Sequence, residues 1–334
     1  MSQKSMPIVP LSELQVDQEA DFFALMTAKE ELTTKTGNPY FKVSFRDAGR
    51  EVSFPIWHNS PWAVDCRDAW TPGSFYKLRA TFRETDFGPQ LDIRKIREIV
   101  DADSDDGFDP GMCKPQSKFN PEEMLEELTG IIEEEITDDG LRTLVLSIIE
   151  TNRQAVLEMP AARRNHHAYA AGLLEHTLSV ARLCVQLADK YTDYYPDMRP
   201  PLDKGLVVAG AVLHDIGKVR ELQMDPEGTT YTAIGSLIGH IQIGRDMVRE
   251  AAAEVDVDDE LLLRLEHLIL AHQRLPEWGS PKPPMTPEAL IVHYADDLDA
   301  KYHMMYAILR DDANTGPLTT SRNILRQQVF RGEM

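Results

Sequence analysis

Six residues of metal-ligand type sit on stripes that otherwise read as buried helix faces. They are His176, the adjacent pair His214 and Asp215, His240, His272 and Asp296. Leu173, His176, Val180, Leu183 and Leu187 step by threes and fours, the period of one helix face. The same steps run through Val207, Ala211 and His214, and through Leu262, Leu265, Ile269 and His272. They recur in Leu237, His240, Gly244 and Met247, and in Ala289, His293, Asp296 and Ala300. An imidazole or carboxylate on an apolar face costs several kcal/mol unless something satisfies it. A lone histidine there is usually a hydrogen-bonded core residue. Six ligand-type residues on five helices point instead to a shared metal centre inside a helical domain.

The N-terminal hundred residues carry a different period. Asp21–Met26 is a first apolar run; Pro39–Arg46 and Glu51–Trp57 alternate on either side of Asp47-Ala48-Gly49-Arg50, a hairpin signature. Ser74–Phe82 and Gln90–Ile96 follow, separated by a turn at Phe87-Gly88-Pro89, with a short helix expected over 61–69. Five strands in about 80 residues suit a small barrel such as an OB-fold. Such barrels bind single strands by stacking bases on aromatics in a basic groove. Tyr40, Phe41, Trp57 and Tyr76, with Lys42, Arg79 and Arg83, are the candidate contacts; alternation sends about half of the aromatics into the core. A protein-docking barrel is the alternative.

The resulting fold class is multidomain, a small N-terminal β-barrel followed by an all-α domain. Residues 10–100 form the barrel, the Asp-, Ser- and Gly-rich 101–119 a linker, 120–312 the helical domain and 313–334 a tail. Asn120-Pro121-Glu122-Glu123 is a helix start, with Asn as cap and Pro at the first position. The tail arginines Arg322, Arg326 and Arg331 either contact RNA or trail in solvent.

The formal net charge of −20 matters through its location. Residues 1–100 hold 13 Lys/Arg against 14 Asp/Glu, whereas 101–140 hold 2 against 14. More than half of the excess is thus confined to one connecting segment, screened from a remote site beyond about 8 Å. Tight non-specific duplex binding is disfavoured. Three scattered cysteines, Cys66, Cys113 and Cys184, suit a reducing cytoplasm rather than a disulfide frame or a zinc ribbon. No leader-like or membrane-spanning run is present in the sequence. Oligomeric state is not legible.

The string Val212-Leu213-His214-Asp215-Ile216-Gly217-Lys218, with a histidine upstream and an aspartate downstream, resembles the HD phosphohydrolase superfamily. Asn165-His166-His167-Ala168-Tyr169, Gly172–Thr177, Gly239-His240, His272 before Trp278-Gly279-Ser280-Pro281, and Ala295–Ala300 narrow it. Together these resemble the YhaM-type 3′→5′ exoribonucleases, which join an OB-fold to an HD domain. The resemblance implies that His176, His214, Asp215 and Asp296 hold one metal, with Asp215 bridging to a second held by His240 and His272. One or two ions per chain are expected, Mn²⁺ as the working ion, with Fe²⁺, Co²⁺, Ni²⁺ or Zn²⁺ as alternatives suited to His and Asp. His272-Gln273 departs from the paired histidines of many two-metal relatives. A bound divalent ion lowers the pKa of water from 15.7 towards about 7, so Asp215 and Lys218 are the candidate catalytic residues. Arg163, Arg164, His166 and His167 are the candidate substrate grip. Single-stranded RNA is the expected substrate, single-stranded DNA an alternative. A nucleotide or cyclic-dinucleotide phosphohydrolase and a non-catalytic nucleic-acid-binding protein are the competing readings. His58, His267, His293 and His303 are expected to be structural.

Overall fold

The computed structural model describes every residue except 1–5, 35, 86–87, 164, 226–227, 313, 315 and 333–334. The chain divides into two compact units, Met1–Gln116 and Ser117–Met334.

In the first unit, β1 (Glu19–Thr33), β2 (Pro39–Arg46), β3 (Glu51–Trp57), β4 (Phe75–Thr85) and β5 (Gly88–Glu98) form one antiparallel sheet. The order is β3-β2-β1-β4-β5, and α1 (Ala63–Asp68) links β3 to β4. The 15-residue β1 serves both halves: Glu19–Leu25 pairs with β4, and Leu25–Thr33 with β2. A register shift between Met26 and Ala28 bends it between these roles. A five-stranded Greek-key arrangement of this kind is OB-like. Alternation works as read: Val52, Phe54 and Ile56 of β3 point inward, as do Phe41, Val43 and Phe45 of β2. With Phe22, Trp70, Tyr76 and Leu78 they fill the barrel core.

The stretch expected as a linker is instead held against the barrel as far as residue 116. Asp103, almost fully buried, accepts from Arg97 at 2.6 Å, from the Val100 amide at 2.9 Å and from Lys77 at 3.3 Å. The Phe108 ring meets Phe23 and Phe75 at 5.2 and 5.5 Å between centroids, and Cys113 is fully buried. Two apolar side chains and one buried carboxylate with two cationic partners turn a polar segment into a strap.

The second unit is helical. Its elements are α2 (Pro121–Glu135), α3 (Asp139–Thr151), α4 (Arg153–Glu158), α5 (Gly172–Tyr194), α6 (Lys204–Leu213) and α7 (Lys218–Glu221). A small hairpin of β6 (Leu222–Asp225) and β7 (Gly228–Tyr231) follows, then α8 (Ala233–Ile238), α9 (His240–Ala252), α10 (Asp259–Ala271) and α11 (Pro287–Asp311). Asn120, Asp203, Asp258 and Thr286 cap α2, α6, α10 and α11 through side-chain oxygens. Leu206 through Leu213 of α6 are all buried, and α6 packs against α2, α3, α5, α10 and α11. The ligand-bearing pair therefore leaves the most enclosed helix of the unit. One expected stripe is broken: Gly239 (φ 82°) separates α8 from α9, and Leu237 is 84% exposed. The C-terminal stretch folds back rather than trailing. Leu318 bridges Phe330, Thr319 is fully buried, and Arg331 pairs with Asp312 at 3.0 Å. Arg322 and Arg326 are exposed.

Candidate metal centre

All six sequence-selected ligands come together in the second unit. His176 comes from the first turns of α5; His214 caps α6, and Asp215 follows it. His240 opens α9, His272 caps α10, and Asp296 lies within α11. Gly217 makes this convergence sterically feasible, because a Cβ there would stand 2.0 Å from the His240 carbonyl oxygen.

Each imidazole is aimed by a hydrogen bond at its far nitrogen. Nδ1 of His214 donates to Ala211 O, and Nδ1 of His272 to Ile269 O, both at 2.7 Å. Nδ1 of His176 donates to Asp299 at 2.8 Å, and Nδ1 of His240 to Glu221 at 3.2 Å. With Nδ1 as the donor, the neutral ring presents its Nε2 lone pair inward, the tautomer a metal requires. Nε2 of His176 and Nε2 of His214 stand 3.2 Å apart, an arrangement that calls for a cation.

Around these two atoms lie Asp296 Oδ1, 3.2 Å from His176 Nε2, and Asp215 Oδ2, 3.4 Å from His214 Nε2. The other oxygen, Asp215 Oδ1, faces His240 Nε2 at 3.3 Å and His272 Nε2 at 3.7 Å. Atoms about 2.1 Å from a common ion stand roughly 3–4 Å apart, and these pairs are separated by 3.2–3.9 Å. Among the described residues, His176, His214 and Asp215 form one group able to hold an ion, and Asp215, His240 and His272 another. The decisive test of fit lies in the second group. Asp215 Oδ1, His240 Nε2 and His272 Nε2 are all enclosed and have no hydrogen-bond partner. Three converging orphans cost roughly 1–3 kcal/mol each unless a cation joins them. The residues fit a two-ion site, and Gln273 in place of a second histidine leaves that group of three intact.

The electrostatics agree. Burial works to raise the Asp215 carboxyl, but the Lys218 ammonium and neighbouring imidazoles outweigh it and hold it well below the usual carboxylate range. Lys218 Nζ lies 2.5 Å from Asp215 Oδ2. Burial lowers His272 to about 3. It acts in the same direction on His176, yet the Asp296 and Asp299 carboxylates prevail and raise that ring to about 9, so a cation bound at Nε2 must displace the proton held there.

Residues 173–301 match the family model for the HD domain. The helical unit thus carries an HD domain, and the match supports a metal-dependent phosphohydrolase. The barrel shows likeness to two structures of replication protein A from Methanococcus maripaludis. One is a solution structure of its second OB-fold domain, 16% identical, covering 28% of this chain and 95% of that one, with a TM-score of 0.22. The other is a crystal structure of a domain of that protein, 12% identical, covering 28% and 96%, with a TM-score of 0.23. Strand order, rather than that likeness, is the ground for describing the first unit as OB-like. No helix among the described residues is long and apolar enough to cross a membrane.

A cavity of about 710 Å³ lies beside the HD-domain ligands, lined in part by Arg163, Asn165, His166, Lys218, His240 and Gln273. Of the substrate-grip residues, Arg163 and His166 line it, while Arg164 lies outside the described residues. His167 does not line it. It is buried with a left-handed backbone (φ 45°), donates to Asp299 at 3.2 Å and accepts from the Tyr169 hydroxyl at 2.8 Å. It buttresses Asp299, the partner of a ligand, instead of lining the cavity.

The sequence reading passed over Asp299 and Glu221. Asp299 accepts from His176, His167 and Ser179 together. Its one available signal was its position three residues after Asp296, on the same helix face. His293 is structural, donating to His272 O at 2.7 Å, and His267 accepts from the Met285 amide at 2.9 Å. His58 stands 3.7 Å from Glu31. His303 is nearer the site than expected, its ring 3.9 Å from that of His167.

On the barrel, the structure revises most of the candidate contacts. Phe41 and Tyr76 are core residues, at 5% and 1% exposure. Arg79 is held bidentate by Asp21 at 2.6 and 2.7 Å, and Arg83 pairs with Asp17 at 2.9 Å. Tyr40 and Trp57, directly opposite in register, leave a ring pair 5.2 Å apart on the outer face. Lys42 is exposed in the same strand, with no ion pair among the described residues.

Proposed function

We propose that this protein is a metal-dependent 3′→5′ exoribonuclease that releases nucleoside 5′-monophosphates from single-stranded RNA. The observation that carries the hydrolase part is the set of three enclosed atoms without a hydrogen-bond partner on Asp215, His240 and His272, next to the His176–His214–Asp215 group that shares the same aspartate. The RNA substrate and the polarity rest on the sequence resemblance. His176, His214, Asp215 and Asp296 would hold one ion, and Asp215, His240 and His272 a second, with Mn²⁺ as the working metal. Bound there, the ions would supply an activated water and neutralise charge on the phosphodiester.

The chain's own residues divide the remaining work. Lys218 keeps Asp215 ionised and presents its ammonium to the cavity, where it can donate to a phosphate oxygen. Arg163, exposed at the cavity wall, would offer a guanidinium to a phosphate of the substrate. Tyr40, Trp57 and Lys42 offer the barrel a small stacking surface with one free charge.

One observation favours a second reading, a phosphohydrolase of free nucleotides or cyclic dinucleotides. Lys77, Arg79, Arg83 and Arg94 are each engaged by carboxylates, so among the described residues these four barrel cations are not free for a polyanion. Incubation with Mn²⁺ and 5′-end-labelled single-stranded RNA decides between them. A ladder shortening from the 3′ end to mononucleotides, abolished by His214→Ala and Asp215→Ala, is the expected result. Intact RNA beside hydrolysed mononucleotide or cyclic dinucleotide would select the second reading.

A further inference from the structure

The lining of the cavity is unlike a pure phosphate site. Trp278 and Tyr231 both line it, and both rings are about half exposed, at 49% and 48%. They come from separate elements, a short turn after α10 and the end of β7.

Trp278 is set by its local chain. Its amide donates to Leu275 O at 3.0 Å, and Gly279 takes the left-handed conformation (φ 105°) directly after it. Ser280, fully buried, accepts from the Gln273 amide at 3.0 Å and ties this loop to the residue following His272. The backbone that carries the indole is thereby tied to the residue next to a ligand of the centre. The indole itself stays about half exposed, with the Lys301 ammonium 5.9 Å from its centroid.

The polar groups at the same cavity complete the picture. Both ring nitrogens of His166 are enclosed without a hydrogen-bond partner. Gln242 and Gln273 line the cavity as well, each carrying a donor and an acceptor that can turn to suit either. Cationic, aromatic and amide side chains thus line one cavity. A phosphate and a planar heterocycle with hydrogen-bonding edges form one ligand that uses all three.

We infer that this cavity seats a nucleobase on Trp278 and Tyr231, with its edge read by His166 and the two glutamine amides, while the attached phosphate reaches Lys218. The inference deepens the proposed function and rests on its nucleotide-class substrate. Because the amides can present either polarity, the pocket accepts purines and pyrimidines alike. Stacking rather than edge recognition therefore supplies most of the selectivity for a base over none.

Calorimetric titration of the full-length protein in Mn²⁺ with AMP, UMP and ribose 5-phosphate tests this. AMP and UMP should each bind about tenfold or more tightly than the base-free sugar phosphate, the range of one aromatic stack. Trp278→Ala should collapse that difference, and Trp278→Phe should retain most of it. Ribose 5-phosphate binding as tightly as AMP to the wild type would overturn the inference, as would a preference surviving the Trp278→Ala/Tyr231→Ala double variant. The two proposals fail separately: intact RNA in the nuclease assay beside a persistent Trp278-dependent preference for AMP defeats the nuclease and leaves the pocket standing.

Discussion

Asp299 shows how much of a metal centre lies outside its ligands. One carboxylate accepts from the ligand His176, from His167 and from Ser179, and these contacts hold its carboxyl well below the usual range despite burial. It fixes His176 in the tautomer that points Nε2 inward. Asp299→Asn keeps the shape but removes the charge, and its amide can present a donor where an acceptor is needed. Metal affinity should fall about 10- to 100-fold, the usual cost of losing such a partner. Competition against a chromophoric chelator measures it, and unchanged affinity would remove Asp299 from this role. The ligands themselves were legible because a polar residue on an apolar stripe is anomalous. Asp299 was not, since Asp297 and Asp299 flank an exposed leucine and read as ordinary surface acids. His167 misled for the converse reason: a His-His pair before a ligand helix looks available, and only the turn at φ 45° takes one ring inward.

Apart from the stripe broken at Gly239, strands and helices followed their periods, but the electrostatics of the barrel depend on pairings that a single strand does not display. Arg79 faces Asp21 across β4 and β1, so a residue read as groove charge is neutralised by the register. The strap after β5 was hidden in the same way, because Asp103 looks like one acid among many until Arg97 and Lys77 close on it. These partners lower the Asp103 carboxyl strongly, the Arg97 hydrogen bonds contributing most. A depressed folded-state pKa means that the stabilisation is fully present above the unfolded value of about 3.9 and is lost as pH falls through the folded value. Asp103→Asn should therefore cost about 1.5–3 kcal/mol at pH 7, the range for hydrogen bonds to a charged group. The gap between wild type and variant should narrow steadily below about pH 4. Urea unfolding at several pH values, followed by tryptophan fluorescence, gives both numbers. A gap independent of pH would mean that the Asp103 charge contributes nothing to docking the strap.

The two units hold separate hydrophobic cores, one built from the strands and one from the helices, and all six candidate ligands belong to the second. Metal should therefore stabilise one unit alone. Without a cation, Asp215 Oδ1 and two imidazole nitrogens remain enclosed and unpaired, and two histidine nitrogens face each other. A ligand that binds only the folded state adds about 2.7 kcal/mol at a hundredfold excess over its dissociation constant. For a unit of this size that corresponds to roughly 5–10 °C in Tm. Calorimetry of the full chain should thus show two transitions, of which exhaustive chelation moves only one downward. The barrel offers an internal standard, since its core contains no comparable cluster among the described residues. Assigning the transitions requires a variant that marks each: Asp103→Asn should lower the other transition, and Asp299→Asn should shrink the chelation shift. Equal displacement of both transitions by chelator would mean that metal acts on something other than the His–Asp cluster, and the charge argument for that cluster would lose its thermodynamic support.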